Sequence, residues 1–453
     1  MHAKPLRRQD VDMTQGNIAR HILTFALPLI LGNLFQQMYN LVDTYVVGNY
    51  ASNQAYAAVG SVGVIINIFI GLFSGFYSGA GVVISQHYGA HDMEKVQKTV
   101  HTAAATALIL CPLFTAMGLL MTPYMLQWNK IPANVLPEAT TYLSIYFWGI
   151  SGLMIYNMGA GILRAVGDSK RPFYYLVVCA CMNAVLDIVF VAKLQMGVAG
   201  VALATVLSQC TSAVLVVIQL LKTTSAVRVS PRKLRLHLPF LKQIVRVGIP
   251  ASVQMSITAV SNVFVQSYIN FFQDDFMSAW TTYTKVDAIL FLPMQSIAMA
   301  ISTFVGQNLG AGQVDRAKKG VRISLIACFV LTAVAMTPVM IFAPQISRIL
   351  NDKPQVVIYS TLLLRLMTPF FLISIVSQLY SGALRGAGNS RAPMVIMLST
   401  FVAARQIYLF VMSRICNQEI PIALSFPFGW ILCSLVMAIY YHNTKLDSHR
   451  ITK

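Results

Sequence analysis

Apolar residues run in long stretches along this chain, and polar residues are confined to short gaps and to isolated positions inside the stretches. Crossing the hydrocarbon core of a bilayer takes ~20 mostly apolar residues in a helix. Runs of that kind fall at 22–48, 54–80, 99–123, 138–160, 172–192, 197–221, 247–272, 277–304, 323–343, 355–381, 393–413 and 419–441. The pattern predicts an all-α integral membrane protein of twelve transmembrane helices, with no soluble domain of useful size left over.

An internal repeat organises those spans. Gly161-Ile-Leu-Arg-Ala-Val-Gly-Asp-Ser-Lys-Arg-Pro172 returns as Gly382-Ala-Leu-Arg-Gly-Ala-Gly-Asn-Ser-Arg-Ala-Pro393, 221 positions later. The same shift sets Gln86, Gly89 and Ala90 on Gln307, Gly310 and Ala311, and a shift of 222 sets Pro28 on Pro250. A near-constant offset at separate places marks a duplication. Six spans per copy is an even number, so both copies enter the membrane in the same sense, as a parallel repeat. The expected organisation is a six-helix bundle over 1–221, a linker over 222–246 that is partly an amphipathic surface helix, and a second six-helix bundle over 247–453. Gly167 and Gly388 should break the chain after the fourth helix of each copy, with Pro172 and Pro393 opening the fifth.

Charge orients the spans. The 453 residues carry 33 Lys and Arg against 15 Asp and Glu, with 11% charged residues and a mean hydropathy of +0.65. Most of the basic residues fall in the loops on the N-terminal side, and the positive-inside rule then puts both termini in the cytoplasm. The surplus suits an anionic lipid surface. It does not argue for nucleic acid, because no aromatic-basic module accompanies it. The first residues, Met1 to Asn17, have no apolar core and form no cleavable signal. The seven cysteines show no CxxC spacing and read as packed thiols.

The chemistry lies in the polar residues at membrane depth, where ionisable groups are costly to keep. Lys285, Arg365 and Arg405 are the bases there, and Asp43, Asp187 and Asp287 are the acids well inside a span. On the first helix Asn33, Gln36, Gln37, Asn40 and Asp43 form a polar stripe, with Tyr39 one turn before Asp43. Asn183 precedes Asp187 by one turn on the fifth helix, and Thr205 lies about two turns into the sixth. A rise of ~1.5 Å per residue puts Asp43, Asp187 and Thr205 in the same outer half of the bilayer. Two carboxylates together in low dielectric favour holding one proton between them, and the same oxygens with Asn183 and Thr205 suit Na⁺. The second copy lacks the cluster: Val265, Ala404, Tyr408 and Phe426 stand where Asp43, Asn183, Asp187 and Thr205 would be. It carries its own polar set, Gln254, Lys285, Asp287, Gln295, Gln378 and Arg405, readable either as a substrate cavity wall with Gln37 and Asn40 or as an ion-pair network holding the bundle. Pro28 leaves the Thr24 carbonyl without its helical partner, which permits a hinge in the first helix.

No Walker A loop, HExxH or acidic polyprenyl motif occurs, so neither ATP-driven pumping nor intramembrane catalysis is expected. Taken together, LPLILGNLFQQMYNLVDTYVVG (27–48), SQHYGAHD (85–92), GILRAVGDSKRP (161–172), MNAVLDIVFV (182–191), GVAGVALATVLSQ (197–209) and GQNLGAG (306–312) resemble the multidrug and toxic compound extrusion (MATE) family. The resemblance covers nearly the whole chain. It implies two six-helix bundles in a V shape, acting as a monomer in a bacterial cytoplasmic membrane. The implied activity is export of small organic compounds, often cationic, in exchange for H⁺ or Na⁺, with no other cofactor or metal. A lipid-linked precursor flippase is the related alternative. The sequence looks most like the DinF-like prokaryotic branch, whose coupling network maps onto Asp43, Asn183, Asp187 and Thr205. The other prokaryotic branch keeps acids on its seventh and tenth helices, and this chain has none in either span.

Overall fold

A computed structural model describes residues 11–129 and 131–452, leaving the Val64 side chain undescribed. The sequence reading of a signal-free start falls largely on residues 1–10, outside the described ones. Among the described residues, twelve long helices follow one another: α1 (Ile18–Tyr50), α2 (Asn53–Gly89), α3 (Met93–Trp128), α4 (Leu136–Ala165), α5 (Lys170–Lys193), α6 (Gly197–Lys222), α7 (Leu238–Ile269), α8 (Asp274–Gly310), α9 (Val314–Ile341), α10 (Pro354–Gly386), α11 (Arg391–Ile415) and α12 (Glu419–Asn443). A short helix, Ala343–Leu350, separates α9 from α10.

Among the described residues, eleven of the twelve are long and apolar enough to cross a membrane, and α4 is the exception. At ~1.5 Å per residue its 30 residues reach ~45 Å, so length is not the reason. Its surroundings are. It packs on α2, α3 and α6 and buries Tyr142, Tyr146 and a run of glycines. A helix sheathed in protein has no need of a uniformly lipid-like surface. Cβ atoms added to Gly149, Gly152 and Gly159 would run into Val206, Cys210 and Val216. These glycines are therefore what lets α4 and α6 approach. In the second copy α10 takes the corresponding central place, packed on α8 and α12, with Gly382 and Gly386 against the backbone of Ala298 and Ser302.

The turns carry the repeat into the backbone. Gly167 and Gly388 sit at φ +85° and +90°, the left-handed region where glycine has no steric penalty. His91 (φ +55°) and Gly312 (φ +78°), also 221 apart, make the turn after the second helix of each copy. The loop carboxyl of Asp168 accepts from the Arg171 backbone N–H at 3.2 Å, and Asn389 does the same for Ala392 at 3.2 Å.

The chain separates into two compact units whose bounds differ from a cut at the linker. One holds Leu27–Gly248 with Val11 and Asp12, and the other holds Met13–Ala26 and Ile249–Lys453. The stretch 222–246 is not a free linker. Gln97 Nε2 donates to the Ala226 carbonyl at 2.9 Å, the Ser230 N–H donates to His101 Nε2 at 3.0 Å, and the His237 N–H donates to Thr102 Oγ1 at 3.2 Å. From Leu238 the chain is already α7, so the expected surface helix is the start of that helix. In the second unit Met13–Gly16 is held by Gln307 and Arg316: the Met13 N–H donates to Gln307 Oε1 at 3.0 Å, and the Arg316 guanidinium reaches the carbonyls of Met13, Gln15 and Gly16. Both α1 and α7 therefore change units, two residues before Pro28 and two before Pro250 respectively.

Candidate functional site: a buried acid pair in the first unit

Four helices of the first unit bring polar groups to one depth. Asp43 lies seven residues from the end of α1 and Asp187 six from the end of α5, while Thr205 lies eight into α6 and Tyr142 six into α4. With the helix rise these positions are roughly 9–12 Å from the same end of the bundle. Antiparallel neighbours thus place side chains together that are far apart in sequence.

The two carboxyl groups face each other within hydrogen-bonding reach. Asp43 is 9% exposed and Asp187 0%. Neither is paired with a base. The ion pairs among the described residues are Lys95–Asp92, Lys98–Glu94 and Arg171–Asp168, all elsewhere. Asp43 Oδ1 and both Asp187 oxygens have no hydrogen-bond donor. Asn183, one turn before Asp187, is buried with both ends of its amide unsatisfied, and so is the Thr205 hydroxyl. Each unmet buried polar group costs ~1–3 kcal/mol, more when charged. Two acceptor-only carboxylates in contact repel; a proton shared between them turns the contact into a hydrogen bond and removes a charge. The helix geometry supports this placement. Directly after Asp187, α5 passes into a π-helical segment, Ile188–Lys193, a widened turn that recurs at functional positions.

Tyrosines ring the acids. The Tyr39 and Tyr142 hydroxyls lie in the electrostatic field of Asp43, and Tyr142 also feels Asp187. Tyr142 faces Thr205 and Tyr146 faces Gln209, though Thr205 Oγ1 and Gln209 Oε1 stay short of full hydrogen-bond geometry. Tyr142 and Tyr146 stack at 6.3 Å, one turn apart on α4. Sequence reasoning named Tyr39 but passed over Tyr142, Tyr146 and Gln209. The available signal was an i, i+4 tyrosine pair in the least lipid-like span. Gln37 is half-buried and Asn40 exposed, so the polar stripe of α1 enters the buried cluster only at its Tyr39–Asp43 end.

The polar residues of the second unit do not form one network. Gln254 is buried, with its Nε2 against the Met397 sulfur. Asp287 accepts from the Tyr283 hydroxyl at 3.0 Å. Lys285 and Gln295 are exposed and Gln378 is half-buried. Arg405, fully buried, bonds Ser261 and Asn262 on α7. No ion pair joins Lys285, Asp287 and Arg405, so the ion-pair-network reading of this set does not describe the structure. Among the described residues there is no group of three or more His, Cys, Asp or Glu arranged to hold a metal ion.

A family model described as MatE matches residues 28–189 and 250–407, one match in each copy of the repeat. The chain is 26% identical to "Probable multidrug resistance protein YpnP" of Bacillus subtilis (strain 168), over 95% of this chain and 96% of that one. It is likewise 26% identical to "Probable multidrug resistance protein YoeA" of the same organism, over 94% of each. Among solved structures, an outward-facing multidrug resistance MATE family transporter of the MOP superfamily shares the fold, with a TM-score of 0.91 at 21% identity, over 97% of this chain and 98% of that one.

Proposed function

The chain belongs to the MatE family of multi-pass membrane transporters, and from that premise we propose that it is a secondary active antiporter exporting organic compounds, often cationic, across a bacterial cytoplasmic membrane. The observation that carries the coupling half of this reading is the Asp43–Asp187 contact: two buried carboxyl groups within hydrogen-bonding reach, with no base beside them. The export half draws on the relatives, which are named for multidrug resistance.

The exchanged ion on this reading is H⁺. A proton resides between Asp43 and Asp187 in one state of the cycle. Arrival of substrate from the cytoplasm favours separated and ionised carboxylates, and the proton, taken up from the outer side, leaves on the inner side. Asn183, Thr205 and Tyr142 lie at the depth of the acids on α5, α6 and α4. Na⁺ in place of H⁺ would draw on the oxygens of Asp43, Asp187, Asn183 and Thr205, and the two ions part in one assay. Purified protein in proteoliposomes, loaded with ethidium, is given a pH gradient or a Na⁺ gradient separately. Export is expected to follow the pH gradient and to fall to the level of empty liposomes in Asp43→Asn and in Asp187→Asn. Undiminished gradient-driven export by both variants would sink the coupling role; export that follows Na⁺ alone would replace the ion and keep the site.

A further inference from the structure

Arg405 has the largest side chain among the fully buried residues of the described chain. It follows immediately on the π-helical segment Leu398–Ala404 of α11, whose extra residue per turn re-aims the side chains after it. The guanidinium is held as a plate. Its carbon lies 4.3 Å from the Phe401 ring centre and 4.7 Å from that of Phe426. Nη2 donates to Ser261 Oγ at 2.6 Å and to Asn262 Oδ1 at 3.0 Å. Nε and Nη1, which carry the rest of the five donors, have no acceptor. No acid compensates the charge, and Asp287 is occupied by Tyr283.

The repeat gives this position its meaning. A shift of 221 sets Arg405 on Ala184, beside Asn183, and sets Phe426 on Thr205; a shift of 222 sets Ser261 and Asn262 on Tyr39 and Asn40. The arginine thus lies in the second unit about one helical turn from the positions that the acid pair occupies in the first, with the opposite sign. An arginine kept only to fasten the helices would be expected to find acceptors for its buried donors. One that keeps donors unmet, in a plane fixed by aromatic faces, suits a carboxylate, sulfonate or phosphate. Trp280 stands 5.5 Å from Phe426 and Trp430 6.0 Å, so the surroundings are aromatic. Asn262 is exposed, which puts the guanidinium one side chain below an accessible face.

We propose that Arg405, with Asn262 and the Phe401 and Phe426 rings, is an anion-binding site, and that the compounds this transporter carries include aromatic organic anions. The proposal rests on the transport reading above and extends its substrate class. The test uses the full chain in lipid nanodiscs and in liposomes, with fluorescein as the anionic probe and ethidium as the cationic one. Wild-type protein binds and exports both. Arg405→Gln weakens fluorescein binding by about tenfold or more and shifts ethidium affinity less than about twofold, as expected when charged hydrogen bonds are lost. Arg405→Lys retains part of the fluorescein binding. Arg405→Met loses it while melting at or above the wild-type temperature, which a purely structural arginine would not allow. Two results overturn the proposal while leaving the transport reading in place: unchanged fluorescein affinity in Arg405→Gln, or wild-type protein that exports ethidium but binds no fluorescein. Failure to export ethidium under any gradient overturns the transport reading itself.

Discussion

At the scale of single residues, the site is built from groups that no packing argument would choose. Asp43, Asn183, Asp187 and Thr205 were legible in the sequence because an acid or amide in an apolar run stands out and its cost demands a reason. Tyr142 and Tyr146 were not, because tyrosine is ordinary in membrane helices and only the fold shows that Tyr142 faces the acids with Tyr146 stacked beside it. Removing the Tyr142 hydroxyl tests that assignment: Tyr142→Phe keeps the ring and should slow gradient-driven export about three- to tenfold, the scale of one hydrogen bond. A variant as fast as wild type would make the hydroxyl a bystander. The loop residue Asp168 gives a control of the opposite kind. Burial pushes its carboxyl up from the usual range, opposed by the Arg171 backbone N–H and guanidinium. A raised value means that the folded state holds the proton more tightly, so this group adds stability at low pH and loses it as pH rises through its titration. Asn389 fills the equivalent turn without a charge. Asp168→Asn should therefore leave thermal stability near neutral pH unchanged or raised by up to ~1 kcal/mol, with export intact, as melting curves and efflux would show.

At the scale of helices, hydrophobic runs gave the existence and order of the twelve elements, and capping glycines gave several of their ends. Three features were hidden from such a reading. The π-helical segments beside Asp187 and Arg405 depend on tertiary contacts rather than on local propensity. The early start of α7 is masked by the charges of Lys242 and Arg246. The crossing of α1 and α7 between units lies in packing. Close approach of α4 and α6 at Gly152 makes a sharp prediction: a Cβ there would stand 3.0 Å from the Cys210 backbone nitrogen and Sγ. Gly152→Leu should destabilise the first unit by ~1–3 kcal/mol through overpacking, read as a lowered melting temperature. For α1, Pro28→Ala restores a hydrogen bond to the Thr24 carbonyl and a better helix former. Thermal stability should rise while export slows, if bending at this point is part of the cycle. Faster or equal export would remove the hinge role from Pro28.

At the scale of the whole chain, a duplicated scaffold carries unduplicated chemistry. Each copy supplies six helices, a central helix lined with small residues and a first helix that changes units at a proline. Among the described residues, only the first copy holds the acid pair, and only the second holds a fully buried arginine, about one helical turn from the matching positions. That division was half visible in the sequence. Comparing the copies showed that Val265, Ala404, Tyr408 and Phe426 replace the polar cluster, but the pairing of Arg405 with α7 and its aromatic clamp needed the fold. The central claim is that Asp43 and Asp187 hold one exchangeable proton whose release is linked to substrate. The most direct measurement is proton release from purified protein in weakly buffered solution, read with a pH indicator as ethidium is added. Linkage predicts release of about one proton per bound ethidium from wild-type protein, and none from Asp43→Asn or Asp187→Asn. Equal release from wild type and both variants, or none from wild type while ethidium binds, would contradict it.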